Sequence, residues 1–148
     1  GAATTQVARV SASVLKPLTL ESIQDLDLGT IVIGAGTWSG AQVAISQAGA
    51  LSCANPNVTC TGATQVAQYN LSGSNSQTVR VSVPDVILTN QSDATKSLTL
   101  VPDAPATVDL PNSGNKGVTF AVGGSVTVSS STADGVYSGT FSVTVDYQ

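Results

Sequence analysis

Cys53 and Cys60 are the only side chains here whose type and spacing suit covalent chemistry, and the chain contains no histidine. A metal site would need further ligands. A redox pair usually takes the form C-x-x-C, whereas Ala-Asn-Pro-Asn-Val-Thr, a turn-forming stretch, separates these two. An oxidised bridge closing a small hairpin is therefore the reading adopted, and it points to an oxidising compartment. Without histidine neither a Ser-His-Asp nor a Cys-His arrangement can be assembled. Glu21, Asp25 and Asp27 lack the dense D-x-D-x-D-G array of a calcium loop. Gly34-Ala-Gly36-Thr-Trp-Ser-Gly40 superficially resembles a nucleotide loop, but its third glycine falls one position late and no helical pattern follows. The acids include no pair set apart for glycoside hydrolysis. The residues thus predict no enzyme, no metal and no cofactor. Trp38, the single tryptophan, stands in a Gly/Ser-flanked loop. It could stack on a sugar ring, and capping the end of a hydrophobic core is the preferred alternative.

Composition narrows the class of partner. Charged residues make up 9% of the 148 residues, against roughly 25% in an average soluble domain. Gly, Ser, Thr, Asn and Gln supply the polarity instead, as on extracellular surfaces. The net charge is −4, and Arg9, Lys16, Arg80, Lys96 and Lys116 are scattered singly. That distribution offers no basic patch for nucleic acid or an anionic membrane. No apolar run approaches the ~20 residues of a spanning helix, so no membrane insertion is expected. The opening Gly1-Ala2-Ala3-Thr4-Thr5, with no methionine anywhere in the chain, suggests a mature end left by signal-peptide cleavage. The expected location is the bacterial cell surface, reached through the periplasm.

The elements that would carry such a surface are strands. Period-two alternation dominates, and Gly, Pro and Asn clusters interrupt it at short intervals. Strands are predicted over 6–15, 18–23, 28–33, 42–46, 67–72, 78–82, 85–89, 97–101, 106–110, 118–122, 125–130 and 136–147. Turns are predicted at 34–36, 55–57, 72–75, 111–114, 123–124 and 133–135. The expected fold is an all-β, immunoglobulin-like sandwich.

The last predicted strand is the most regular. Gly135, Tyr137, Gly139, Phe141, Val143, Val145 and Tyr147 share one face, and Ser138, Thr140, Ser142, Thr144 and Asp146 fall on the other. Near the start, Gln6, Ala8, Val10, Ala12 and Val14 share a face, with Val7 and Leu15 out of phase. Lys16-Pro17 then separates this segment from the next strand, because proline lacks the amide donor and fixes φ. The organisation expected is an N-terminal extension, 1–15, and a sandwich domain, 16–148.

The closing segment, with its penultimate tyrosine, alternating apolar residues and Gly135 in phase, resembles the C-terminal signature of chaperone–usher pilins. More broadly, the chain resembles a family of secreted bacterial β-domains distantly like spore-coat-U and archaic fimbrial subunits. The matching residues are Pro17-Leu18, Leu26-Asp-Leu-Gly29, Gly123-Gly124 with Val126 and Val128, and the run from Gly135 to Tyr147. The resemblance implies a pilin-like sandwich completed by a strand from a neighbouring subunit. It also implies a homopolymeric filament, a periplasmic assembly chaperone and an outer-membrane usher. The donor strand would present Gln6, Ala8, Val10, Ala12 and Val14; the acceptor groove and assembly strand would use Gly135, Tyr137, Gly139, Phe141, Val143, Val145 and Tyr147, with 141–147 bordering the groove. The competing expectation is a self-complemented monomer that binds carbohydrate through the Trp38 loop.

Overall fold

The computed structural model describes residues 2–148; Gly1, at the head of the expected extension, lies outside them. Thirteen strands follow in chain order. The first six are β1 (Thr19–Gln24), β2 (Thr30–Ile33), β3 (Ala41–Ile45), β4 (Leu51–Ser52), β5 (Val58–Thr61) and β6 (Ala67–Ser72). They are followed by β7 (Thr78–Ser82), β8 (Val86–Asn90), β9 (Ser97–Asp103), β10 (Thr107–Asp109), β11 (Val118–Val128), β12 (Tyr137–Ser138) and β13 (Thr144–Tyr147). All the paired strands run antiparallel.

The largest sheet has the order β1-β6-β11-β9-β8-β12, with β3 and β4 joined through β11. It curls into a near-closed half-barrel. A second sheet, β10-β7-β13, and the β2-β5 ribbon complete the architecture. The fold is all-β and sandwich-like.

Valine-rich strands bury two clusters. One gathers Val43, Val86, Leu100 and Val126; the other gathers Leu71, Val79, Phe120 and Val122. Leu26 and Phe141 touch both and join them. Tyr69 and Phe120, directly opposite across β6 and β11, stack with ring centroids 5.6 Å apart.

Strand β11 corrects one expectation. A turn was predicted at 123–124, yet the chain runs through both glycines as one strand. Up to Val122 it pairs with β6, and from Gly124 it pairs with β3. A Cβ on Gly123 would run into the Ile45 carbonyl. The glycine marks a close backbone approach where the partner changes, a role that sequence does not distinguish from a turn.

The bridge needs a smaller correction. Cys53 and Cys60 are joined, with Cα atoms 6.3 Å apart, around the turn Asn55-Pro-Asn57. The strands on either side are not paired with one another: β4 pairs with β3, and β5 pairs with β2. The disulfide therefore ties two separate ladders together and does not close a hairpin.

Candidate functional site

The final segment alternates as predicted but is not one strand. Phe141, Val143, Val145 and Tyr147 are half-buried, and the residues between them are exposed. Its hydrogen-bond partners change midway. Tyr137 and Ser138 pair with β8 on the edge of the large sheet, whereas Thr144 to Tyr147 pair with β7. Gly139 lies so close to β8 that a Cβ would stand 2.7 Å from the Ile87 carbonyl oxygen. Residues 140–143 then cross between the sheets, carrying Phe141 over the junction of the two clusters.

The predicted acceptor residues are thereby divided. Gly135 has φ +138° and packs against Asn90. The Tyr137 hydroxyl donates to the Ala133 carbonyl at 2.6 Å. Gly135, Tyr137 and Gly139 thus build the β8 edge, while Phe141, Val143, Val145 and Tyr147 line the second cluster. Buried Asn90 anchors the loop ahead of β12, donating to the Asp134 carbonyl at 2.9 Å and accepting from the Ser92 and Asp93 amides.

Along β13 the register is set by its ladder with β7. Asp146 stands opposite Arg80 on β7, an opposite-charge pair of the kind that favours one register. The Gln148 amide donates to the Thr78 carbonyl at 3.0 Å. Antiparallel pairs alternate between bonded and non-bonded, so Asp146 and Thr144 also face β7, and Val145 and Tyr147 direct their N–H and C=O groups away from it. No strand among the described residues takes up that side.

Strand β1 is likewise bonded on one side only, to β6. Its Leu20, with the preceding Leu18, packs on the same cluster as Val143, Val145 and Tyr147. Two unpaired edges therefore flank one part of the core, where the inward side chains are only half-covered.

Beside this flank stands the N-terminal segment. Where a strand was predicted over 6–15, the chain carries no secondary structure, and residues 2–17 are exposed throughout. Val7, Val10 and Val14 are 93%, 96% and 93% exposed. Among the described residues, no hydrogen bond ties 2–15 to the domain. Gln6, Ala8, Val10, Ala12 and Val14 have no strand to pair with inside their own fold, and an isolated strand does not hold itself together in water. The first attachment is at Lys16, whose amide donates to Ser74 Oγ at 2.7 Å.

Trp38 packs against the first cluster. Its Nε1 donates to the Gly34 carbonyl at 3.2 Å, and its amide and carbonyl both engage Ser130.

Two shallow depressions lie elsewhere. One, of about 280 Å³, sits on β3, β9 and β11 beside Val101, Asp103 and Ser125. The other, of about 310 Å³, lies between Pro84–Thr89 and residues 138–142. Each contains a single acid. No group of metal-ligating side chains occurs among the described residues. Of the ionisable groups, burial and then the nearby Asp25 charge push the Tyr69 phenol above its ordinary range. Hydrogen bonds from Thr95 hold the exposed Asp93 carboxyl below its own. Tyr69 stands opposite Ser22 of β1, and Asp93 lies in the loop after β8.

These features define an all-β domain with an incompletely covered core flank and an unpaired apolar arm. The chain belongs to the family described as Domain of unknown function (DUF4402), whose model matches residues 18–147. The match begins directly after Lys16-Pro17, so it coincides with the folded domain and leaves the arm outside. Neither the curated proteins nor the solved structures contain a match.

Proposed function

We propose that this protein is a structural subunit of a secreted bacterial fimbria, polymerised by donation of its arm to the next copy. In this reading residues 6–14 of one copy lie along the open flank between β1 and β13 of another. The carrying observation is the pairing of opposites in one molecule. It has an arm whose valines touch nothing and a core flank whose two strand edges are unpaired.

Physical complementarity supports the reading. Nine extended residues reach ~30 Å at ~3.3 Å per residue, longer than the six residues of β1. Strand addition would satisfy the outward amides and carbonyls of Val145 and Tyr147 and place alternate apolar side chains over the half-covered cluster. Each valine moved out of water contributes about 1.5–3 kcal/mol, and each ladder hydrogen bond about 1 kcal/mol. Head-to-tail donation does not close on itself and so builds a filament.

An exposed apolar edge favours aggregation before assembly. A periplasmic chaperone that covers the β13 edge, and an outer-membrane usher that exchanges it for the arm, are the partners this function requires. An immunoglobulin-like, pilin-type sandwich would be the matching fold description.

Removing residues 2–15 tests the proposal. The full chain is expected to form filaments under negative stain. The shortened chain should stay monomeric with its denaturation midpoint little changed, because no hydrogen bond ties residues 2–15 to their own domain and Val7, Val10 and Val14 are almost fully exposed. Filaments from the shortened chain would refute arm donation.

A further inference from the structure

The root of the arm is held more tightly than its sequence suggests. The Tyr147 hydroxyl donates to the Lys16 carbonyl at 2.7 Å and accepts from the Ser74 amide at 2.9 Å. The Lys16 amide in turn donates to Ser74 Oγ at 2.7 Å. Both backbone groups of Lys16 are therefore engaged, one by β13 and the other by the turn after β6. Pro17 follows, and a residue preceding proline is restricted to extended conformations. Gly73 completes the node. A Cβ there would stand 2.5 Å from the Tyr147 hydroxyl oxygen and 2.8 Å from Leu18 Cδ2. A larger residue there would force the hydroxyl or the Leu18 side chain to shift from its place.

We infer that Tyr147, Ser74 and Gly73 form a latch that fixes the direction in which the arm leaves the domain and keeps it from folding back along its own β13. The geometry of reversal carries the argument. The chain passes Tyr147 at Lys16 and enters β1 at Thr19. To lie on its own flank, the arm must reverse within the few residues around Lys16 and Pro17. A turn with Pro17 third is disfavoured, because proline drives the residue before it out of the helical region. A turn with Pro17 second is the one proline favours. In its hydrogen-bonded form that turn uses the Lys16 carbonyl to accept from the Thr19 amide, and the latch aims that carbonyl at the Tyr147 hydroxyl instead. Folding back thus requires the latch to open.

A role for the latch in favouring exchange between copies rests on the proposed arm donation, but the latch itself does not. Spin labels at Ala12→Cys on the arm and Thr107→Cys on β10 would read the distance between arm and domain by pulsed electron resonance. Measuring the monomer fraction from size exclusion makes the result independent of polymerisation. With the root fixed, the unaltered protein should give a distribution narrower than that of any latch variant, its remaining width coming from the unpaired residues between Ala12 and Lys16. Tyr147→Phe, which removes only the hydroxyl, should broaden it and add distances of an arm lying back on the domain, and Gly73→Ala should do the same by displacing the ring. Ser74→Ala removes only the acceptor of the Lys16 amide and should broaden it less. It also preserves the test should either other variant fail to fold. An unchanged distribution in the folded variants would overturn the latch, whatever the arm deletion shows about filaments.

Discussion

The β11 side of the molecule and the β1/β13 side are built from the same residue types, yet they end in opposite states. Strand β11 has neighbours on both edges, with β3 and β9 on opposite sides of Gly124 and Ser125 and β6 along its first half, and its inward Val122, Val126 and Val128 are buried. Strands β1 and β13 have one neighbour each, and their inward Leu20, Val145 and Tyr147, with Val143 just ahead of β13, remain half-exposed on the same cluster that buries Leu71 and Val79. Alternation decides which face a side chain takes. Whether that face is covered depends on how many strands lie alongside. The β1/β13 flank is therefore where another strand has both backbone groups to bond and apolar surface to cover.

The sharpest way to break this comparison is to cut the same kind of side chain from each side. Leu71→Ala opens a cavity in fully packed surroundings and should cost about 2–5 kcal/mol. Leu20→Ala, directly opposite on β1, should cost well under that in the monomer, because solvent already reaches the site. Equal losses in urea denaturation would show that the β1/β13 flank is as closed as the interior around Leu71.

Removal of the disulfide comes next. Replacing Cys53 and Cys60 by serine releases a loop closed over a sequence separation of 7, worth about 2–3 kcal/mol in the chain-entropy account. The bridge ties β4 to β5 on the first cluster, whereas β13 packs on the second, so filament formation should survive while the melting temperature falls. Loss of filaments with little loss of stability would move the assembly surface to the β2-β5 ribbon.

The smallest effect concerns Tyr69, which stands between Ser22 of β1 and Phe120 of β11. Its phenol is raised above the ordinary value of 10.0, first by burial and then by the Asp25 charge. A raised folded pKa means the native state holds its proton longer than the unfolded chain. Stability is then fully present below about pH 10 and declines as pH rises through the folded value. Ultraviolet titration should show one late-ionising tyrosine that Tyr69→Phe abolishes. A titration unchanged by that substitution would show that Tyr69 is not shielded.

Much of the fold could be read from the order of residues, because facing is a local property. The 67–72 and 78–82 segments coincide with β6 and β7, and the inward set from Phe141 to Tyr147 matches the observed half-burial. Partnership could not be read in the same way. The run from Val136 to Tyr147 alternates without interruption, so nothing in it announces that Gly139 sits against β8 while Thr144 belongs to β7. The Gly123-Gly124 pair reads as a turn because the Ile45 carbonyl that demands it is distant in sequence. The 6–15 segment has a strand's pattern but no partner within its own domain.

The latch was hidden for the same reason. Tyr147 attracts notice as an aromatic in phase with its strand, but its bond to the Lys16 carbonyl spans 131 positions. Lys16-Pro17 was recognisable as a boundary from proline chemistry alone, and the family match beginning at residue 18 falls at the same place.

By itself the sequence determined that the chain would be all-β, which side chains would face inward, where the arm would part from the domain, and which cysteines could meet. These follow from backbone stereochemistry and from the two-residue repeat of a strand. The tertiary structure alone decided which edges remain unpaired, which glycines carry close contacts, and that one hydroxyl pins the arm's root. Those outcomes depend on contacts between residues far apart in the chain, and no local pattern encodes them.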